Sequence, residues 1–129
     1  MSNFVVGNLV AEFKRGVKCN RSNIYLARTK YGESLVKFLL SQNYIQNYYI
    51  DPQNRFCIKL RYVNQRPFIH NMELGSKPTQ KVYLSYSELS SNKYGFSGVL
   101  VLSTSFGIMT HFECILLGIG GKFLFSIYF

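Results

Sequence analysis

Apolar residues recur at helical spacing in the opening segment NFVVGNLVAEFKRG, where Phe4, Val5, Leu9 and Phe13 predict one buried face. Lys14 and Arg15 then fall in the last turn, and Gly16 sits where a helix stop is expected. NIYLA (23–27) is a short apolar run of strand type. In KYGESLVKFLLSQN, Leu35, Val36, Leu39 and Leu40 mark a second amphipathic helix. QNYYI and RFCIKLRYV flank the turn-forming DPQN and predict a β-hairpin. Within its second strand Phe56, Ile58, Leu60 and Tyr62 alternate with Arg55, Cys57, Lys59 and Arg61, so one face is apolar and the other carries three cations.

The periodicity breaks in NQRPFIHNMELGSKPTQ, which places a boundary near residue 66. A strand at KVYLSY, a helical turn at SELSSN and a strand at GVLVLSTS follow. In THFECILLG, Thr110 and Glu113 predict a capping box and Gly118 the C-terminal stop, after which Gly120 and Gly121 turn the chain into the closing strand KFLFSIYF. This succession predicts an α/β (α+β) fold. Its two small subdomains, residues 1–66 and 67–129, would each be a short mixed sheet with packed helices.

Composition narrows the function. The 129 residues are 47% hydrophobic and 16% aromatic, enough to bury a core, which excludes global disorder. Net charge is +9 and the pI about 9.6, pointing to an anionic partner or to a solvated basic face. The charge is uneven: residues 1–66 hold eleven Lys and Arg against Glu12, Glu33 and Asp51, net +8, while residues 67–129 hold four against three, net +1. Cys19, Cys57 and Cys114 fit neither a disulfide framework nor a metal motif and are expected to be buried thiols in a reducing compartment. The longest apolar stretch is broken by Gly120, Gly121 and Lys122, so a soluble protein without a membrane span is expected. No presequence pattern opens the chain.

Catalytic chemistry finds little support. Ser103 or Ser105 with His111 could be imagined as nucleophile and base, but the one aspartate, Asp51, lies distant in sequence and no G-x-S-x-G elbow surrounds either serine. His70 and His111 lack metal-ligand spacing, and neither a P-loop nor GxGxxG occurs, so no metal, cofactor or small-molecule substrate is expected. What remains is recognition of a surface. Ser103, Thr104 and Ser105 close a strand directly before Phe106 and Gly107, and short hydroxyls with bare backbone can approach the wide minor groove of an RNA helix. Ser and Thr also end strands for local reasons, so the triplet alone decides nothing.

The longer segment VLSTSFGIMTHFECILLGIGGKFLFSIYF resembles the C-terminal part of the universal small-subunit ribosomal protein S8 family, with its S-T-S-x-G-[IV]-M-[TS] loop, short helix and G-x-G-G-x before the last strand. SKPTQKVY, ARTKYGESLVKFLLSQNYI and VVGNLVAEFKRG are similar to that family's other segments, in the same order. The resemblance implies a protein that binds the central domain of small-subunit rRNA beside neighbouring ribosomal proteins and helps the domain assemble. It carries RNA contacts over to Ser103, Thr104, Ser105 and Gly107, to Tyr83, Lys77 and Pro78, and to Lys30. Lys59 and Arg61 join them from the basic strand face.

Two positions depart from the family pattern. Phe106 stands where a cation is usual, leaving open whether it stacks on a base, meets a neighbouring protein or packs within the chain. Lys122 stands where an acid is usual. Abundant Phe, Tyr, Ile, Asn and Lys without Trp is the composition of an A+T-rich coding sequence and favours a mitochondrial ribosome over a plastid or bacterial one. The alternatives are a free RNA-binding module mimicking the rRNA site and a serine hydrolase.

Overall fold

The computed structural model describes residues 2–74, 83–90 and 98–129. Helix α1 (Ser2–Lys18) presents Val6, Leu9, Val10 and Phe13 to the core at i, i+3, i+4 and i+7. Two expectations change here. Phe4 lies outside this stripe, 74% exposed, and Gly16 continues the buried face instead of stopping the helix. A Cβ on Gly16 would stand 2.6 Å from Ile24 Cγ2, so the glycine lets α1 pack closely on strand β1 (Asn23–Ala27). The chain reverses at Asn20, whose φ of 52° asparagine tolerates better than most residues.

Helix α2 (Lys30–Ser41) starts where the Thr29 hydroxyl accepts the Gly32 N–H at 2.9 Å, and it buries Leu35, Val36, Phe38 and Leu39 with Leu40 half-buried beside them. The predicted hairpin forms from β2 (Ile45–Ile50) and β3 (Arg55–Leu60), with Asn54 in the left-handed conformation and the Asp51 carboxylate accepting the N–H groups of Gln53 and Arg55. Strand order is β1-β3-β2. Because β3 inserts between the two strands that α2 connects, both pairings are antiparallel, where a mixed sheet was expected.

A two-stranded ribbon, β4 (Tyr62–Val63) with β5 (Arg66–Pro67), occupies the region of the expected boundary. Strand β6 (Asn71–Leu74) lies in the stretch whose pattern reads as a break. Then come β7 (Tyr83–Leu84), α3 (Tyr86–Ser90), β8 (Gly98–Thr104), β9 (Gly107–Thr110), α4 (His111–Leu117) and β10 (Gly121–Tyr128). Strand β10 is the hub of the second sheet. One edge pairs with β8, and the other pairs with β7 near its start and β6 near its end, all antiparallel. Strand β9 pairs with the far side of β8. Helix α4 carries the expected capping box of Thr110 and Glu113 and ends at Gly118, φ 71°.

Both sheets share one apolar cluster. Residues of α1, α2 and the first sheet pack with Met72, Val99, Val101, Phe125 and Ile127 of the second. A smaller cluster of Leu84, Leu89, Leu100, Leu102, Met109 and Cys114 lies on the opposite face of β8, under α3 and α4. Of the cysteines, Cys57 and Cys114 are buried as expected, but Cys19 is exposed past the end of α1. Among the described residues no helix is long and apolar enough to cross a membrane.

Candidate nucleic-acid interface

The hydroxyl triplet sits at the tip of the β8–β9 hairpin. Thr104 pairs with Gly107, leaving Ser105 and Phe106 as the turn, both exposed. Gly107 adopts φ 112°, a conformation that disfavours side chains, and the space above it is open. The Thr104 hydroxyl accepts the Phe106 N–H at 3.1 Å and donates to the Gly107 carbonyl at 2.9 Å, so it braces the turn. Ser105 is exposed at the tip, and Phe106, 72% exposed, packs on nothing within the chain's core.

Register builds the rest of the site. Ser103 lies opposite Ile108 on β9 and Lys122 on β10, and Lys122 in turn lies opposite Tyr83 on β7. Cross-strand partners share a face, so Tyr83, Lys122 and Ser103 form one row across three strands. Gly121 makes this possible, since a Cβ there would come within 2.8 Å of the Ser103 carbonyl oxygen and of Thr104 Cγ2. Helix α2 closes the row: burial pushes the Tyr31 phenol up, an effect the neighbouring Ser103 side chain partly offsets. Lys30, beside Tyr31 at the start of α2, is exposed. Sequence reasoning missed Tyr31 entirely. It noticed Lys122 only as an unusual residue, because the register that sets a cation between Tyr83 and Ser103 is a long-range property.

Other candidates are placed elsewhere. Lys77 and Pro78 lie outside the described residues. Lys59 is exposed on the outer face of β3. Arg61 is past the end of that strand, its Nη1 donates to the Asn43 carbonyl at 2.7 Å, and its guanidinium lies 4.1 Å from the centre of the Phe68 ring. His111 accepts the Leu100 N–H on Nδ1 at 3.0 Å, and burial pushes its pKa below the ordinary imidazole value. Extending the edge of β8 in this way occupies the nitrogen a serine would need.

The profile of the family described as Ribosomal protein S8 matches residues 5–128. Small ribosomal subunit protein uS8 of Legionella pneumophila strain Lens is 32% identical over 121 residues, covering 91% of each chain. Small ribosomal subunit protein uS8m of Acanthamoeba castellanii is 30% identical over 125 residues, covering 95% of this chain and 98% of its own. The uS8 protein of Thioalkalivibrio sulfidiphilus is also 30% identical, over 122 residues.

Proposed function

This chain belongs to the ribosomal protein S8 family, and from that membership we propose that it is a structural, non-enzymatic component of the small ribosomal subunit that binds the central domain of small-subunit rRNA and supports its assembly. The observation that carries the RNA-binding reading is the row of Tyr83, Lys122 and Ser103 beside a hairpin tip that offers Ser105 and an unobstructed Gly107. Hydroxyls and bare backbone at the tip suit the 2′-hydroxyls and base edges of an RNA minor groove. Lys122 and Lys30 supply attraction to phosphates on either side, and Thr104 fixes the geometry of the turn. Lys77 and Pro78 stay in the proposal on the strength of the family resemblance. Residues 1–66 and 67–129 act as two subdomains joined through their common core.

Neighbouring ribosomal proteins are further partners in this reading. Phe112 and Leu116, one turn apart on α4, are 57% and 86% exposed, and with Phe106 they suit apolar contacts that a phosphate backbone would not make. A mitochondrial ribosome is the proposed location, supported by composition and by the Acanthamoeba relative; the bacterial relatives are equally similar.

The test is a chemical footprint of the chain on its own small-subunit rRNA, paired with sedimentation of cell extracts in high salt. Protection of a helix in the central domain and co-migration with small subunits are expected. A chain that stays at the top of the gradient yet binds a message would be a free regulatory module, and subunits found outside mitochondria would overturn the location.

A further inference from the structure

The outer face of the first sheet has no role in the site described above. Antiparallel register sets Tyr25 of β1 and Tyr49 of β2 on either side of Cys57, all pointing away from the core helices. The tyrosines are 39% and 57% exposed and cover the thiol, which is buried. Two strand spacings separate the rings, about 10 Å.

Beside them is a cation fixed in place. The Arg55 guanidinium lies 4.3 Å from the centre of the Tyr25 ring. Asp51 Oδ2 accepts from its Nε at 3.0 Å and its Nη2 at 2.8 Å, while Oδ1 accepts the Arg55 N–H at 2.9 Å. A long side chain that would otherwise sample many rotamers is thereby held over a ring. Two positions further along β3 from Cys57, Lys59 is exposed between Asn23 and Asn47.

We infer that this face is a second RNA site, which takes unpaired nucleotides by stacking bases on Tyr49 and on the layered Tyr25 and Arg55, with Lys59 on the phosphates. The inference rests on the proposed RNA-binding function but concerns a different surface and a different form of RNA. Bases stack on both aromatic rings and guanidinium planes, and stacking tolerates any sequence. Charge favours RNA over a protein. The carboxylate at this face, Asp51, is consumed by Arg55, so the face meets its partner with cations and rings alone.

The test uses the full-length chain and two probes: a short unstructured oligouridylate and a helical fragment of its rRNA central domain. Tyr49→Ala and Tyr25→Ala should each weaken oligouridylate binding at least about fivefold, the low end for loss of one stacked base. Binding to the helical fragment should be unchanged, Tyr49→Phe should restore wild-type affinity, and ultraviolet cross-links to uridine should map to Tyr25 or Tyr49. Asp51→Asn should give a smaller loss, because the guanidinium stays but is no longer clamped. Thermal melting separates any loss of fold from loss of a ring. Wild-type oligouridylate affinity in both alanine variants would overturn the inference, and if those variants also fall out of small subunits on sedimentation the face meets a ribosomal protein instead. If the helical fragment fails to bind the wild-type chain while oligouridylate does, the hairpin reading falls and the sheet face stands.

Discussion

The hairpin tip and the outer face of the first sheet approach an anionic partner by opposite means. At the tip the groups are short: a serine hydroxyl, a bare glycine and one half-buried lysine set in a strand row. On the sheet they are large and flat, two tyrosines and a clamped arginine with an exposed lysine beyond. Short groups discriminate by how closely a surface can come, so their contribution disappears when anything is added. Flat ones discriminate by whether a base is free to stack, so theirs disappears when anything is removed. Net charge, +8 against +1 across residue 66, describes only the second strategy.

The largest expected effect adds atoms at the tip. Gly107→Val places a β-branched residue at φ 112°, a strain of about 1–3 kcal/mol, and fills the open space above the turn. Affinity for the helical RNA should fall by more than folding stability does, read by titration and by melting of the same samples. Equal affinity would remove the tip from the interface. Next in size, Ser105→Ala should cost about 0.5–1.5 kcal/mol of binding, or up to about 3 if an RNA group is left buried and unpaired, and no oligouridylate affinity.

Salt dependence sharpens the comparison further. Withdrawing one cation from a phosphate should flatten the slope of log K against log salt by roughly 0.7–0.9. Lys122→Gln should do so for the helical fragment and Lys59→Gln for oligouridylate. Arg61→Gln should leave both slopes intact and lower the melting temperature, since its guanidinium serves the Asn43 carbonyl and the Phe68 ring at a stabilisation of about 0.5–1 kcal/mol for an exposed cation on a ring. A flattened slope in Arg61→Gln would return that residue to the RNA surface.

The smallest effect lies away from both regions. His111 is held below its ordinary pKa in the fold, so the unfolded chain binds its proton more readily. Its stabilisation is complete above the unfolded value and is lost as pH falls through the lowered folded value. Melting at about pH 7.5 and about pH 5.5, on either side of the ordinary imidazole range, should show a small drop on acidification that His111→Gln abolishes.

What the sequence disclosed was local. The capping box of Thr110 and Glu113, the stop at Gly118 and the hairpin around Asp51 each rest on residues a few positions apart, and all are present in the fold. Gly16 misled because a glycine after a cation reads as a stop, whereas here it is small so that α1 can approach β1. Strands β6 and β9 were missed because four residues carry no period of their own and exist only through pairing with β10 or β8. The same limit hid the row of Tyr83, Lys122 and Ser103. Alternation along β3 identified the cationic face but carried on through Arg61, one residue past the strand's end.

The apolar cluster common to both sheets has a kinetic consequence. Val6 and Val10 of α1 belong to the same core as Phe125 and Ile127 of β10, so burial at the start of the chain is completed only by residues more than a hundred positions away. Contacts of such high order must close a long loop before they return any stabilisation, which slows folding and leaves apolar surface open in the meantime. A nascent copy of this chain is thus exposed to aggregation until its last strand docks, and capture by RNA during that interval would favour the folded side of the balance.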